Sequence, residues 1–105
     1  MTNQITKGTE IKYPIEVFNK QGKQIYYEVS NGYWAKYEYD TQGNKTHYKD
    51  SNGDWANWKY DTQGNPTYYR DSIGYWVKYE YDEQNNITYY ENTYGEKRGT
   101  PKNTH

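Results

Sequence analysis

Three tryptophans, Trp34, Trp55 and Trp76, stand twenty-one residues apart, and Asp50 and Asp71 keep the same spacing. Brought together, such residues could stack a sugar ring on an indole and hold its hydroxyls on a carboxylate. Little else in the chain could do chemistry. The two histidines, His47 and His105, are far apart and cysteine is absent, so no metal cluster or nucleophile–base set is spelled out. Asp40, Asp61 and Asp82 sit in turn signals, and Gly43 and Gly64 precede no helix that could cradle a phosphate. His47 fills a slot that holds Tyr26, Tyr68 and Tyr89 in the other copies, a ring in a ring's place. The chain therefore reads as non-enzymatic, with no cofactor and no metal.

The elements that must position these residues follow from the same period. Gly32, Gly53, Gly74 and Gly95 form one series, and Gly22, Gly43 and Gly64, with Asn85 in the fourth slot, form another. Tyr27, Tyr48, Tyr69 and Tyr90 keep step with them. A fixed period of this size marks a repeat array in which no copy buries its own apolar surface. Each unit holds two turn signals. One is Asp-Thr-Gln-Gly-Asn at 40–44 and 61–65, which predicts a three-residue loop closed by a glycine bulge. The other is Ser-Asn-Gly at 30–32 and 51–53, which predicts a two-residue Asn-Gly turn, with Ile73 a blemish in the third copy.

Between the turns lie runs rich in Tyr, Trp, Thr and Val, the composition of strands. They predict strands at 15–18, 23–29, 33–39, 44–50, 54–60, 65–71, 75–81 and 86–92. The fold class is all-β: an antiparallel meander of about eight strands in one twisted or curled sheet, without helices. Residues 1–13 read as a lead-in, 14–95 as the hairpin-repeat domain and 96–105 as a flexible tail bearing Lys97, Arg98, Pro101 and Lys102.

Twenty-one is odd while side chains alternate with period two, so something in each repeat must restore parity. Two loops of unequal length would do it. That register sets Tyr39 opposite Lys45, Tyr37 opposite His47, Lys36 opposite Tyr48, His47 opposite Trp58 and Tyr48 opposite Asn57. One face would then carry Tyr26, Tyr37, His47, Trp58, Tyr68, Tyr79 and Tyr89, beside Phe18, Tyr39, Tyr60, Tyr81 and Ile87, with Ala35, Ala56 and Val77. The other would carry Tyr27, Tyr48, Tyr69 and Tyr90 among Lys36, Asn57 and Lys78, and the tryptophans among Asp50, Asp71 and Asn92.

The strings Tyr39-Asp40-Thr41-Gln42-Gly43-Asn44 and Tyr60-Asp61-Thr62-Gln63-Gly64-Asn65 resemble the YD repeat of RHS-type proteins, with Tyr81-Asp82 and Phe18-Asn19 as degenerate copies. The similarity spans roughly residues 16 to 95 and implies a strip of β-hairpins. Four copies cannot close the shell of long members, and the toxin segment and self-cleaving core are missing. Short Tyr-rich arrays of this kind look like accessory proteins of bacteria and phages, which implies a small inhibitor of a host enzyme or defence complex. A second stretch, Tyr68-Tyr69-Arg70-Asp71-Ser72-Ile73-Gly74-Tyr75-Trp76, is similar to choline- and glucan-binding repeats of cell-surface proteins.

Composition narrows the partner. Only 31% of the chain is hydrophobic, yet 20% is aromatic, with 16 Tyr and 4 Trp, so the apolar material rides on amphipathic rings. A net charge of −1 argues against nucleic acid, and no stretch is long and apolar enough for a membrane. With no secretion signal at the start, the sequence reads as cytoplasmic. A broad aromatic sheet face with no helix to cover it predicts a protein-binding module. Its expected contacts are Tyr37, Tyr39, Trp58, Tyr60, Tyr68, Tyr79, Tyr81 and Tyr89. The partner would be another protein or a second copy, making a homodimer. The alternatives are a self-associating structural repeat, or a glycan or choline binder using Trp34, Trp55, Trp76, Asp50 and Asp71.

Overall fold

The computed structural model describes residues 11–102 and shows one open, all-antiparallel sheet. Its strands are β1 (Ile15–Phe18), β2 (Gln24–Glu28), β3 (Trp34–Tyr39), β4 (Lys45–Asp50), β5 (Trp55–Tyr60), β6 (Pro66–Asp71), β7 (Trp76–Tyr81), β8 (Ile87–Asn92) and β9 (Lys97–Gly99). They lie side by side in chain order, and each touches only its sequence neighbours. The expected meander is present. The ninth strand is one the sequence reading left in the tail. Residues 1–10 of the lead-in and 103–105 of the tail lie outside the described residues. The radius of gyration, 19.8 Å, exceeds the roughly 13 Å of a compact chain of this length, as one uncovered layer must.

All eight turns share one geometry. The first residue donates its N–H to the fifth carbonyl and accepts from the fourth N–H, as between Asp40 and Asn44 (2.9 Å) and Gly43 and Asp40 (3.0 Å). The fourth residue is left-handed: glycine in seven turns, and Asn85 (φ 66°) in the other. In seven of the turns Asp or Asn at the first position locks the loop with its Oδ1. Asp50, for example, accepts from the backbone N–H of Asn52 (3.0 Å) and Asp54 (3.1 Å). In the eighth Val29 takes that place, and Asn31 Oδ1 accepts from the Tyr33 N–H (2.9 Å) instead. Both turn signals thus encode the same three-residue loop with a glycine bulge, and the expected two-residue Asn-Gly turns do not form. The reason is visible in the backbone: among the described residues only Asn85 and glycines have positive φ, so Asn31 and Asn52 do not take the left-handed conformation such a turn needs. Ile73 is consequently no blemish, since its position demands no positive φ and its side chain is 83% exposed. Ile73→Asn should change stability by less than about 0.5 kcal/mol. Gly74→Ala, in the left-handed slot (φ 96°), should cost about 1 kcal/mol in urea unfolding.

Parity is restored inside the strands instead. Tyr39 faces Lys45 as expected, but the next pair is Glu38 with His47, so Thr46 is passed over. Ile25, Thr67 and Thr88 are skipped in the same way, one β-bulge per repeat. Each bulge slips the register by one, and a one-residue slip exchanges faces. Tyr37 therefore faces Tyr48 rather than His47, Lys36 faces Lys49 rather than Tyr48, and His47 and Tyr48 face Asn57 and Ala56.

Two faces result. The tyrosine face carries Tyr27, Tyr37, Tyr48, Trp58, Tyr69, Tyr79 and Tyr90 around Ala35, Ala56 and Val77. The lysine face carries Trp34, Trp55 and Trp76 with Tyr26, His47, Tyr68 and Tyr89 among Lys and Glu. The core is correspondingly thin. Ala35, Ala56 and Val77 are buried beneath neighbouring rings, and among the described residues the only buried ring is Tyr89.

At the C-terminal end Gly99 (φ 80°) lets the chain leave β9 hard against β8, and Lys102 donates its N–H to Glu80 Oε1 (2.9 Å). The segment is held, not a free tail.

Candidate functional site

Six of the eight residues expected to make contact share the tyrosine face. Tyr37, Trp58 and Tyr79 occupy equivalent places in β3, β5 and β7, each against a Tyr of the following strand. The ring centroids are 5.5 Å apart for Tyr37–Tyr48, 5.4 Å for Trp58–Tyr69 and 5.6 Å for Tyr79–Tyr90, all tilted. Such tilted pairs add about 0.5–1.5 kcal/mol each beyond area burial. Tyr39, Tyr60 and Tyr81 end the same strands, and the Tyr81 ring lies 6.3 Å from Tyr79. Their hydroxyls donate to the carbonyls of Gln24 (2.8 Å), Lys45 (2.6 Å) and Pro66 (2.6 Å), pinning each ring onto the preceding hairpin.

Tyr68 and Tyr89 lie on the opposite face, paired with Lys59 and Glu80. They belong there because the skipped Thr67 and Thr88 shift their strands by one. The rings expected on the other face and found on the tyrosine face are Tyr27, Tyr48, Tyr69 and Tyr90. For the last three the missed signal was the Thr series at 46, 67 and 88.

The Trp–Asp constellation is not assembled. Asp50 pairs with Ala35 and Asp71 with Ala56, so both carboxylates lie under the tyrosine face while the tryptophans lie on the other. Asp50 and Asp71 are instead turn residues. Asp50 is buried and accepts from Tyr48 Oη, with Tyr33 Oη 3.0 Å beyond; Asp71 accepts from Tyr69 Oη at 2.8 Å. The hydrogen bond from Tyr48 holds the Asp50 carboxyl below the usual carboxylate range.

The phenols respond in the opposite direction. Burial, then the bond to Asp71, pushes Tyr69 up to about 12. Burial also raises Tyr37, Tyr48, Tyr60 and Tyr81. These phenols therefore stay uncharged across the physiological range, and the charges on their face are the Asp50 and Asp71 carboxylates and Lys45, whose ammonium lies 4.6 Å over the Tyr37 ring. Among the described residues no three of His, Cys, Asp or Glu gather as a metal site would require. His47 Nδ1 is hydrogen-bonded to Oδ1 of its cross-strand partner Asn57.

Neither a scan against protein-family models nor a search of curated proteins finds a match for this chain. The surface itself must carry the functional reading. It is a half-buried field of rings with a few charged groups, Asp50, Asp71 and Lys45, set among them. Surfaces of that kind offer rigid contact area at small entropic cost.

Proposed function

We propose that the chain is a non-enzymatic protein-binding module that docks a partner protein on its tyrosine face. The observation that carries this reading is the uncovered row of ring pairs Tyr37–Tyr48, Trp58–Tyr69 and Tyr79–Tyr90 on a sheet one layer thick. The rings are already packed on one another, so little side-chain freedom is lost on docking. The shared turn and bulge in every copy fit the hairpin strip that a YD-type repeat implies. A small bacterial or phage inhibitor that clamps a host enzyme is the use we favour.

The test is affinity capture from source-cell lysate with the full chain. Trp58→Ala and Tyr79→Ala should each lose the captured partner, a drop of 2 kcal/mol or more at a central ring, about thirtyfold. Far-UV circular dichroism should stay β-rich. Recovery of the same partner in the same amount by both variants overturns the proposal. Self-association through this face is a competing outcome: light scattering would then report a dimer that Trp58→Ala returns to monomer.

A further inference from the structure

The lysine face shows an arrangement that composition hides. Each of the five consecutive strands β3 to β7 places one ring and one cation there: Trp34 with Lys36, His47 with Lys49, Trp55 with Lys59, Tyr68 with Arg70, and Trp76 with Lys78. The cations cover ring faces, Lys36 over Trp34 at 5.1 Å, Arg70 over Trp55 at 5.5 Å, Lys78 over Trp76 at 5.4 Å and Lys59 over Tyr68 at 5.8 Å. All five cationic side chains are exposed. Among the described residues no carboxylate oxygen lies within 4.0 Å of any of them.

The carboxylates of this face sit toward its two ends. Glu28 and Glu38 are on β2 and β3, and Glu80 and Glu91 on β7 and β8, while β4, β5 and β6 contribute none. Glu28 and Glu91 are engaged by the hydroxyls of Tyr26 and Tyr89, both at 2.6 Å. Lys36 and Lys49 are also direct cross-strand partners, a like-charge pair that destabilises a sheet. The Trp34 ring under Lys36 offsets part of that repulsion. A bound polyanion would offset the rest.

We infer that this stripe binds single-stranded nucleic acid. Five strands at about 4.8 Å spacing give a track of about 19 Å, on which the exposed cations swing off the rings to meet phosphates and so free the ring faces to stack unpaired bases. The net charge of −1 does not forbid this, because the balancing carboxylates of β4 and β6, Asp50 and Asp71, are turned to the other face. Of the polyanions, an acidic protein segment would use the cations and leave the rings idle. The ring on every strand favours bases.

The experiment is fluorescence anisotropy of a labelled single-stranded DNA of about twelve nucleotides with the full chain. Binding should weaken with salt, with a log–log slope of about −3 for four or five phosphates. Lys49→Glu should weaken binding at least tenfold and yet raise the melting temperature, because it turns a repulsive cross-strand pair into an attractive one. Trp55→Ala should also weaken binding about tenfold, by losing one stacked base. Lys20→Glu, the same charge change in an exposed turn, should have little effect. No anisotropy change at low salt overturns the proposal. So does equal affinity for a duplex of the same length, or displacement by polyglutamate as effective as by unlabelled oligonucleotide. The last result would assign the stripe to an acidic protein.

Discussion

Acidification should unfold this protein cooperatively, and more steeply than its weak net charge suggests. The cause lies in the turns. Asp40, Asp61 and Asp82 each accept backbone N–H bonds inside their loops, and those bonds, led by the one from the fifth residue, hold the carboxyls low. Asp50 is lowered as well, chiefly by the Tyr48 hydroxyl. A carboxyl whose folded value lies below its unfolded one binds its proton more tightly in the unfolded chain. The stability it contributes is complete above the unfolded value, near 4, and is lost as pH falls through the lower folded values. Four such groups add in the same direction. The urea midpoint should be flat from about pH 7 to about pH 5 and then fall sharply below about pH 4. Asp50→Asn should shift the whole curve downward and flatten its acid limb, since Asn has no proton to gain. A midpoint unchanged down to about pH 2.5 would contradict the turn assignment.

Gly99→Ala should have the largest effect of any single methyl group added to the chain. A Cβ at that position would lie 1.9 Å from the Thr88 carbonyl oxygen and 2.9 Å from its carbon, both rigid backbone of β8. The left-handed φ of 80° adds strain of its own. Neither can be relieved while β9 stays paired with Tyr89 and Glu91. The variant should release β9, uncover the otherwise buried Tyr89, and cost about 3 kcal/mol. Amide exchange at Glu91 would quicken while exchange in β3 to β6 stays slow. Gly53→Ala makes a useful contrast, because an added Cβ there meets nothing within 4 Å and only the backbone conformation is strained.

Much of the fold could be read from the chain because period, strand length and turn residues agree with one another. The strands from Ile15–Phe18 to Ile87–Asn92 appear where the glycine and tyrosine series put them, within a residue at each end. An odd repeat must break strand parity somewhere, but the place is hard to read, because the Thr at 46, 67 and 88 is an ordinary strand residue and Ile25 fills the same slot in the first repeat. That single hidden residue per repeat moved Tyr48, Tyr69 and Tyr90 onto the face of Tyr37, Trp58 and Tyr79, and moved Tyr68 and Tyr89 away from it. It also parted Trp34, Trp55 and Trp76 from Asp50 and Asp71. The strand Lys97–Gly99 escaped notice for a different reason. Three residues ending in glycine have no strand propensity, and only pairing with the finished edge of β8 makes them extended.

The one-bulge, two-turn unit has a consequence for how such a chain could change over generations. Each strand is served only by the strands before and after it, and each repeat hands its successor the same edge, register and facing. Excising or duplicating twenty-one residues at any equivalent point would therefore rejoin compatible edges, shortening or lengthening both the ring row and the cation track by a whole increment. Reach, rather than shape, is the property that duplication can tune here.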